Sequence, residues 1–144
     1  MDRRVVLVWG LTLAIAGPLA GGCAGREAAT ATPLPPAKTL QAGDFARLAG
    51  EWEGTIRGVG TTGHLVNRTA HLRVNVKPDG SWTSTIDGAP QGGRGRIEGG
   101  KLILEGSAAR GTATLHEGGG RSVLVGQGTW VGVEGDVAFE VTKR

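Results

Sequence analysis

The sequence predicts an all-β protein, a small antiparallel up-and-down β-barrel of about eight short strands. Three observations predict it. Apolar and polar residues alternate with period two along much of the chain beyond residue 50, the pattern of strands with one buried and one wet face. Glycine-rich breaks interrupt that alternation, giving about one strand plus turn per 12–13 residues over residues 44–144. Such a meander must hide its edge strands, and closure into a barrel does so. A membrane-spanning barrel is excluded, because its lipid-facing aromatic girdles cannot be built from two phenylalanines and no tyrosine.

Composition narrows the class further. The 27 glycines among 144 residues follow no three-residue period and are accompanied by only 6 prolines, which excludes collagen. With 39% hydrophobic and 20% charged residues the chain has enough core-forming side chains to exclude wholesale disorder. Sixteen basic against 13 acidic residues leave a net charge of +3, without the electrostatic footprint of a nucleic-acid binder. A single cysteine, Cys23, excludes an intramolecular disulfide.

Taken in order, Arg3 and Arg4 precede an apolar run from residue 5 that Gly17-Pro18 ends. The run falls short of the roughly 20 residues of a membrane span, so residues 1–22 read as a cleavable signal peptide. Leu19-Ala20-Gly21-Gly22-Cys23 closely resembles the lipobox of bacterial lipoproteins. That resemblance implies that Cys23 becomes the mature N-terminus and carries a diacylglyceryl thioether and an amide-linked acyl chain such as palmitate. Two or more acyl chains hold a protein stably on a membrane. In that family Ala24, in place of Asp, implies transfer to the outer membrane of a Gram-negative cell. Residues 23–43 read as the lipidated cysteine and a flexible linker, small, polar and proline-bearing, with a coil reach of about 25 Å.

The β-barrel domain is expected over 44–144. Asp44 caps a short helical turn. The first strand is expected at 51–57, with Trp52 and Ile56 on one face and Glu51 and Glu53 on the other. In the second, Ala70, Leu72, Val74 and Val76 point inward, and Pro78-Asp79-Gly80 makes the hairpin turn into Trp82, Ser84 and Ile86. Residues 87–93 read as a loose loop. Strands are then expected at 94–98, 101–105, 111–116, 121–130 and 136–143.

Gly50-Glu51-Trp52, at the head of the first strand, resembles the Gly-x-Trp signature of the calycin superfamily, which includes lipocalins, fatty-acid-binding proteins and avidins. The resemblance implies that Trp52 plugs one end of the barrel and that a basic residue near the last strand, Lys143 or Arg144, packs on it. It implies a lipocalin-like ligand interior, for which Trp52, Trp82 and Trp130 are the candidate contacts. The bland assignment for Trp52 and Trp82 is core.

The search for chemistry excludes more than it finds. Gly58-Val59-Gly60-Thr61-Thr62-Gly63 spells a dinucleotide fingerprint but leads into a strand instead of a helix, so it reads as a connecting loop. His64, His71 and His116 are not spaced as metal ligands, and no cofactor or metal is expected. Glu51 and Glu53 read as a solvated stripe, and no serine sits in a nucleophile elbow. The basic residues from Arg94 to Arg121 are diluted by Glu98, Glu105 and Glu117.

The expected protein is a non-enzymatic envelope lipoprotein, lipid-anchored and facing the periplasm, whose barrel binds a small apolar ligand or an envelope partner. The alternative is a periplasmic inhibitor or protein-interaction module with a filled core and its function on a loop. An apolar cavity of at least ~300 Å³ open at one end separates the first from the second.

Overall fold

The computed structural model describes residues 31–63, 65, 68–131 and 133–144; residues 1–22, expected as a signal peptide, and Cys23 lie outside the described residues. The elements are β1 (Ala37–Lys38), α1 (Phe45–Leu48), β2 (Gly50–Gly63), β3 (Thr69–Val76), β4 (Ser81–Ile86), β5 (Ala89–Glu98), β6 (Lys101–Gly106), β7 (Ala109–Gly118), β8 (Arg121–Trp130) and β9 (Val133–Lys143). From β2 to β9 each strand pairs antiparallel with the next, and β9 returns to pair with β2. The eight strands form a closed up-and-down barrel, the predicted fold class. The two-residue β1 is an addition, pairing with β7 beyond the end of β6.

Alternation builds the core as expected. β3 alternates strictly between exposed and buried positions, and its inward Ala70, Leu72, Val74 and Val76 join Trp82 and Ile86 of β4. Leu102, Ala113, Leu115, Leu124, Val137 and Val141 complete the inner wall.

The loose loop expected at 87–93 is instead a tight turn followed by β5. Asp87 and Gly88 have φ of 47° and 87°, the pair of positive values that a two-residue hairpin turn demands. Ile86 then pairs with Ala89, and pairing runs on to Ser81 with Arg94. Residues 58–63, expected as a connecting loop, extend β2, and beyond Arg57 they pair with β9 alone. Asp44 does occupy the N-cap position of α1, but its side chain makes no cap bond. Its Oδ2 instead accepts the Gln41 N–H at 2.7 Å.

Glycines line the inner wall because the wall leaves no room for more. A Cβ at Gly54, Gly93 or Gly128 would overlap the carbonyl oxygen of Glu140, Glu105 or Arg110 on the neighbouring strand. The Phe139 ring occupies the space a side chain at Gly126 would need, and the Trp82 indole lies 3.1 Å from the Cβ position of Gly106. Close strand approach and large rings thus share one small interior.

Part of the segment expected as a linker is packed on the barrel. Beyond β1, Leu40 is 2% exposed and its N–H donates to the Gly100 carbonyl at 3.0 Å. Ahead of β1, the Pro36 carbonyl accepts the Glu117 N–H at 3.0 Å, and the Pro35 carbonyl lies 2.9 Å from His116 Nδ1.

Gly54→Ala, which drives a methyl into the β9 backbone, is expected to cost roughly 1–3 kcal/mol of stability. Gly43→Ala, with nothing within 4 Å of the added Cβ, is expected to stay within ~0.5 kcal/mol. Urea unfolding of the two variants beside the parent measures both.

Candidate functional site

Trp52 closes one end of the barrel. Its side chain is held by the turn of α1 directly before β2, where Nε1 donates to the Leu48 carbonyl at 2.9 Å. Lys143, its register partner on β9, places Nζ 5.6 Å from the ring centroid and donates to the Arg47 carbonyl at 2.7 Å. Of the two basic residues considered, Lys143 is the one on the tryptophan. Arg144 turns to the outer face and pairs with Glu53. Leu48 is completely buried beside this plug, and Phe45 packs against Gly80 and Gly95. A tryptophan so held is part of the barrel's closed end.

The interior retains a cavity of about 60 Å³ toward the opposite end. Trp82, Ser84, Gln91, Leu104, Trp130 and Phe139 are among the residues that line it. Of the three candidate tryptophans, two therefore meet here. The volume is far below that of a lipid-sized pocket, and the barrel interior is filled by its own side chains. Leu65, from the β2–β3 connection, is 3% exposed and belongs to the same core cluster.

The larger concavity lies outside. A groove of about 320 Å³ crosses the outer face of β2 to β5, lined by Glu51, Glu53, Arg73, Asn75, Thr83, Thr85, Pro90 and Arg144, among others. Register places two cross-strand rows on its floor, Glu51–Asn75–Thr83–Gly92 and Glu53–Arg73–Thr85–Pro90. The Glu53 side chain is only 19% exposed and is surrounded by nitrogen groups: His71 Nε2 at 2.7 Å, Arg73 at 3.5 Å, and Arg144. The solvated stripe expected of Glu51 and Glu53 is at Glu53 an ion-pair cluster. Exposed pairs of this kind contribute only about 0.2–1 kcal/mol each to stability, and their geometric effect is to hold two arginines over the groove. A shallower depression of about 270 Å³ lies over β7 and β8 near Arg110, Gln127 and Asp136.

The remaining sequence candidates are dispersed. His71 serves Glu53, His116 serves the Pro35 carbonyl, and His64 lies outside the described residues. Among the described residues no three His, Cys, Asp or Glu side chains converge as metal ligands. Arg96 is paired with Glu98 and Glu105, and Arg121 with Glu140, so the basic run is locally neutralised. No helix among the described residues is long and apolar enough to cross a membrane. Gln91 was hidden from sequence reasoning inside the supposed loop; the Asp87-Gly88 turn was the signal that could have placed it on a strand. Comparison of the chain with protein-family models, with curated proteins and with solved structures gives no match in any of the three.

A further ion pair joins the barrel's closed end to α1. Glu117 meets Arg47 and also accepts from Ser122 Oγ at 3.2 Å. The Arg47 guanidinium holds the Glu117 carboxyl below its ordinary value of 4.5.

Two outcomes are expected. Trp52→Phe, which strands the Leu48 carbonyl, should cost about 1–3 kcal/mol, and Lys143→Met about 0.5–1 kcal/mol, each read by thermal unfolding. Because the folded pKa of Glu117 is depressed, its contribution is complete above about pH 4.5 and fades as pH falls through the lower folded value. Glu117→Gln should therefore narrow the stability difference from the parent as unfolding is measured from pH 6 down to pH 3.

Proposed function

We propose that this protein is a lipid-anchored envelope lipoprotein whose non-catalytic barrel works as an interaction module, engaging an envelope partner through its outer surface. The observation that carries this choice is the contrast in space: an interior of about 60 Å³ against an outer groove of about 320 Å³. A cup for a small apolar ligand of ordinary size needs at least ~300 Å³ inside, so the filled-core alternative is preferred. The groove floor supports a protein partner. Thr83, Thr85 and Asn75 offer hydrogen bonds on a rigid sheet, and Arg73 and Arg144, set by Glu53, offer charge at one side. Anchoring rests on the lipobox-like segment ending at Cys23 and places the protein in the cell envelope, on the outer membrane facing the periplasm in a Gram-negative host.

Cys23→Ser is expected to move the protein from the membrane fraction to the soluble envelope fraction and to abolish labelling by a radioactive fatty acid. A photo-crosslinking amino acid at Thr85 is expected to trap a discrete envelope partner in cells, while the same residue at Lys101, on another part of the barrel, traps none. Membrane retention without labelling would refute the anchor, and equal trapping at both positions would refute the groove.

A further inference from the structure

The inner wall of the barrel holds two buried polar atoms, on Trp82 and Gln91, that have no hydrogen-bond partner among the described residues. Trp82 is 5% exposed, yet its Nε1–H has no acceptor; Gln91 Oε1 is buried and has no donor. The other core tryptophan is treated differently, since Trp52 Nε1 has the Leu48 carbonyl. A buried donor and a buried acceptor left unpaired are each costly, and most such groups in folded proteins have a partner. Here both side chains line the same cavity of about 60 Å³.

Their placement follows from register. Trp82 faces Gly93 and Ser84 faces Gln91 across the β4–β5 pair, so Trp82 and Gln91 are diagonal neighbours, roughly 7–8 Å apart along the inner wall. Gly111 and Gly128, which pair with each other across β7 and β8, also line the cavity and put no side chain into it. Of the cavity's lining residues only Arg110 is ionisable, and it is exposed. A charged group would enter such a place without a buried counter-charge, whereas a neutral one needs only hydrogen-bond partners to offset its desolvation.

We propose that this cavity binds the head of a small neutral amphiphile, a group that accepts a hydrogen bond from Trp82 Nε1–H and donates one to Gln91 Oε1. A primary amide does both with three heavy atoms. A space of about 60 Å³ takes the head and no more than the first carbons of the tail, which meet the apolar Trp130, Phe139 and Ile86 of the same lining; the rest of the tail lies outside it. Val74, Ser84 and Gln91 line the outer groove as well, but the Trp82 Nε1–H belongs to the cavity alone, so its response reads the cavity whether or not the groove has a partner.

The test is the indole N–H region of the nitrogen–proton NMR spectrum of the full chain carrying Cys23→Ser, titrated with hexanamide, the Trp82 signal being identified by its loss in Trp82→Phe. The expected result is a saturable shift of the Trp82 signal with the Trp52 signal unmoved, and at least tenfold weaker binding in Gln91→Leu. Persistence of the Trp52 signal in Gln91→Leu shows that the variant is folded. No shift up to the solubility limit of hexanamide would overturn the site, as would equal affinity in Gln91→Leu. Water contacts to the Trp82 N–H that persist at saturating hexanamide would overturn it too, leaving bound water as the occupant.

Discussion

Hydrogen bonding between β2 and β9 is the interaction on which the rest of the structure depends. It turns a meander with two open edges into a ring, so neither β2 nor β9 is left along its length as an open edge to which copies could add. The same closure limits the volume inside. An eight-stranded ring is at the size where side chains just fill the interior, and here Trp52, Trp82 and Phe139 take much of it. The glycines of the inner wall are the counterpart of those rings: where the neighbouring backbone or an aromatic ring already stands, no Cβ fits. High glycine content and a filled barrel are therefore one fact seen at two levels.

The two ends of the ring are treated differently. At one end α1, Leu48, Trp52 and Lys143 make a plug tied by hydrogen bonds to the Leu48 and Arg47 carbonyls. Residues 35–40 are fastened to the same end through Gly100, His116 and Glu117. Toward the other end the wall is made of glycines and partly buried aromatic residues around a small cavity. This asymmetry explains why three tryptophans with similar sequence settings have three roles: Trp52 is bonded into the plug, Trp82 lies buried with a spare donor, and Trp130 is partly buried at the last turn of β8.

Much of the architecture is legible in the chain. The strict alternation of 70–76, the Pro78-Asp79-Gly80 turn and the inward Leu102, Leu104, Ala113 and Leu115 follow from period two and turn chemistry alone, because both are local. Gly50-Glu51-Trp52 was enough to expect a plug with a basic partner. The errors have local causes as well. Residues 87–93 looked like a loop because glycine and proline are poor strand formers. Gly93 is nonetheless in a strand, because its inward position lies beside Trp82 and against the backbone of β6. Residues 37–40 looked like linker because two strand residues and one leucine carry no period. They are ordered by the free stretch of β7 beyond β6.

The sequence by itself determined the eight strands of the barrel, most of their faces and most of the turns, since these depend on neighbours two to four residues away. It also carried the lipobox-like segment, which is read as linear text. Only the tertiary structure decided that the interior is nearly full, that Lys143 and not Arg144 reaches Trp52, that Glu53 gathers His71 and two arginines, and that Trp82 and Gln91 share a cavity. Each of those depends on cross-strand register and on summed side-chain volume, quantities that arise only when residues far apart in the chain are brought to the same few ångströms.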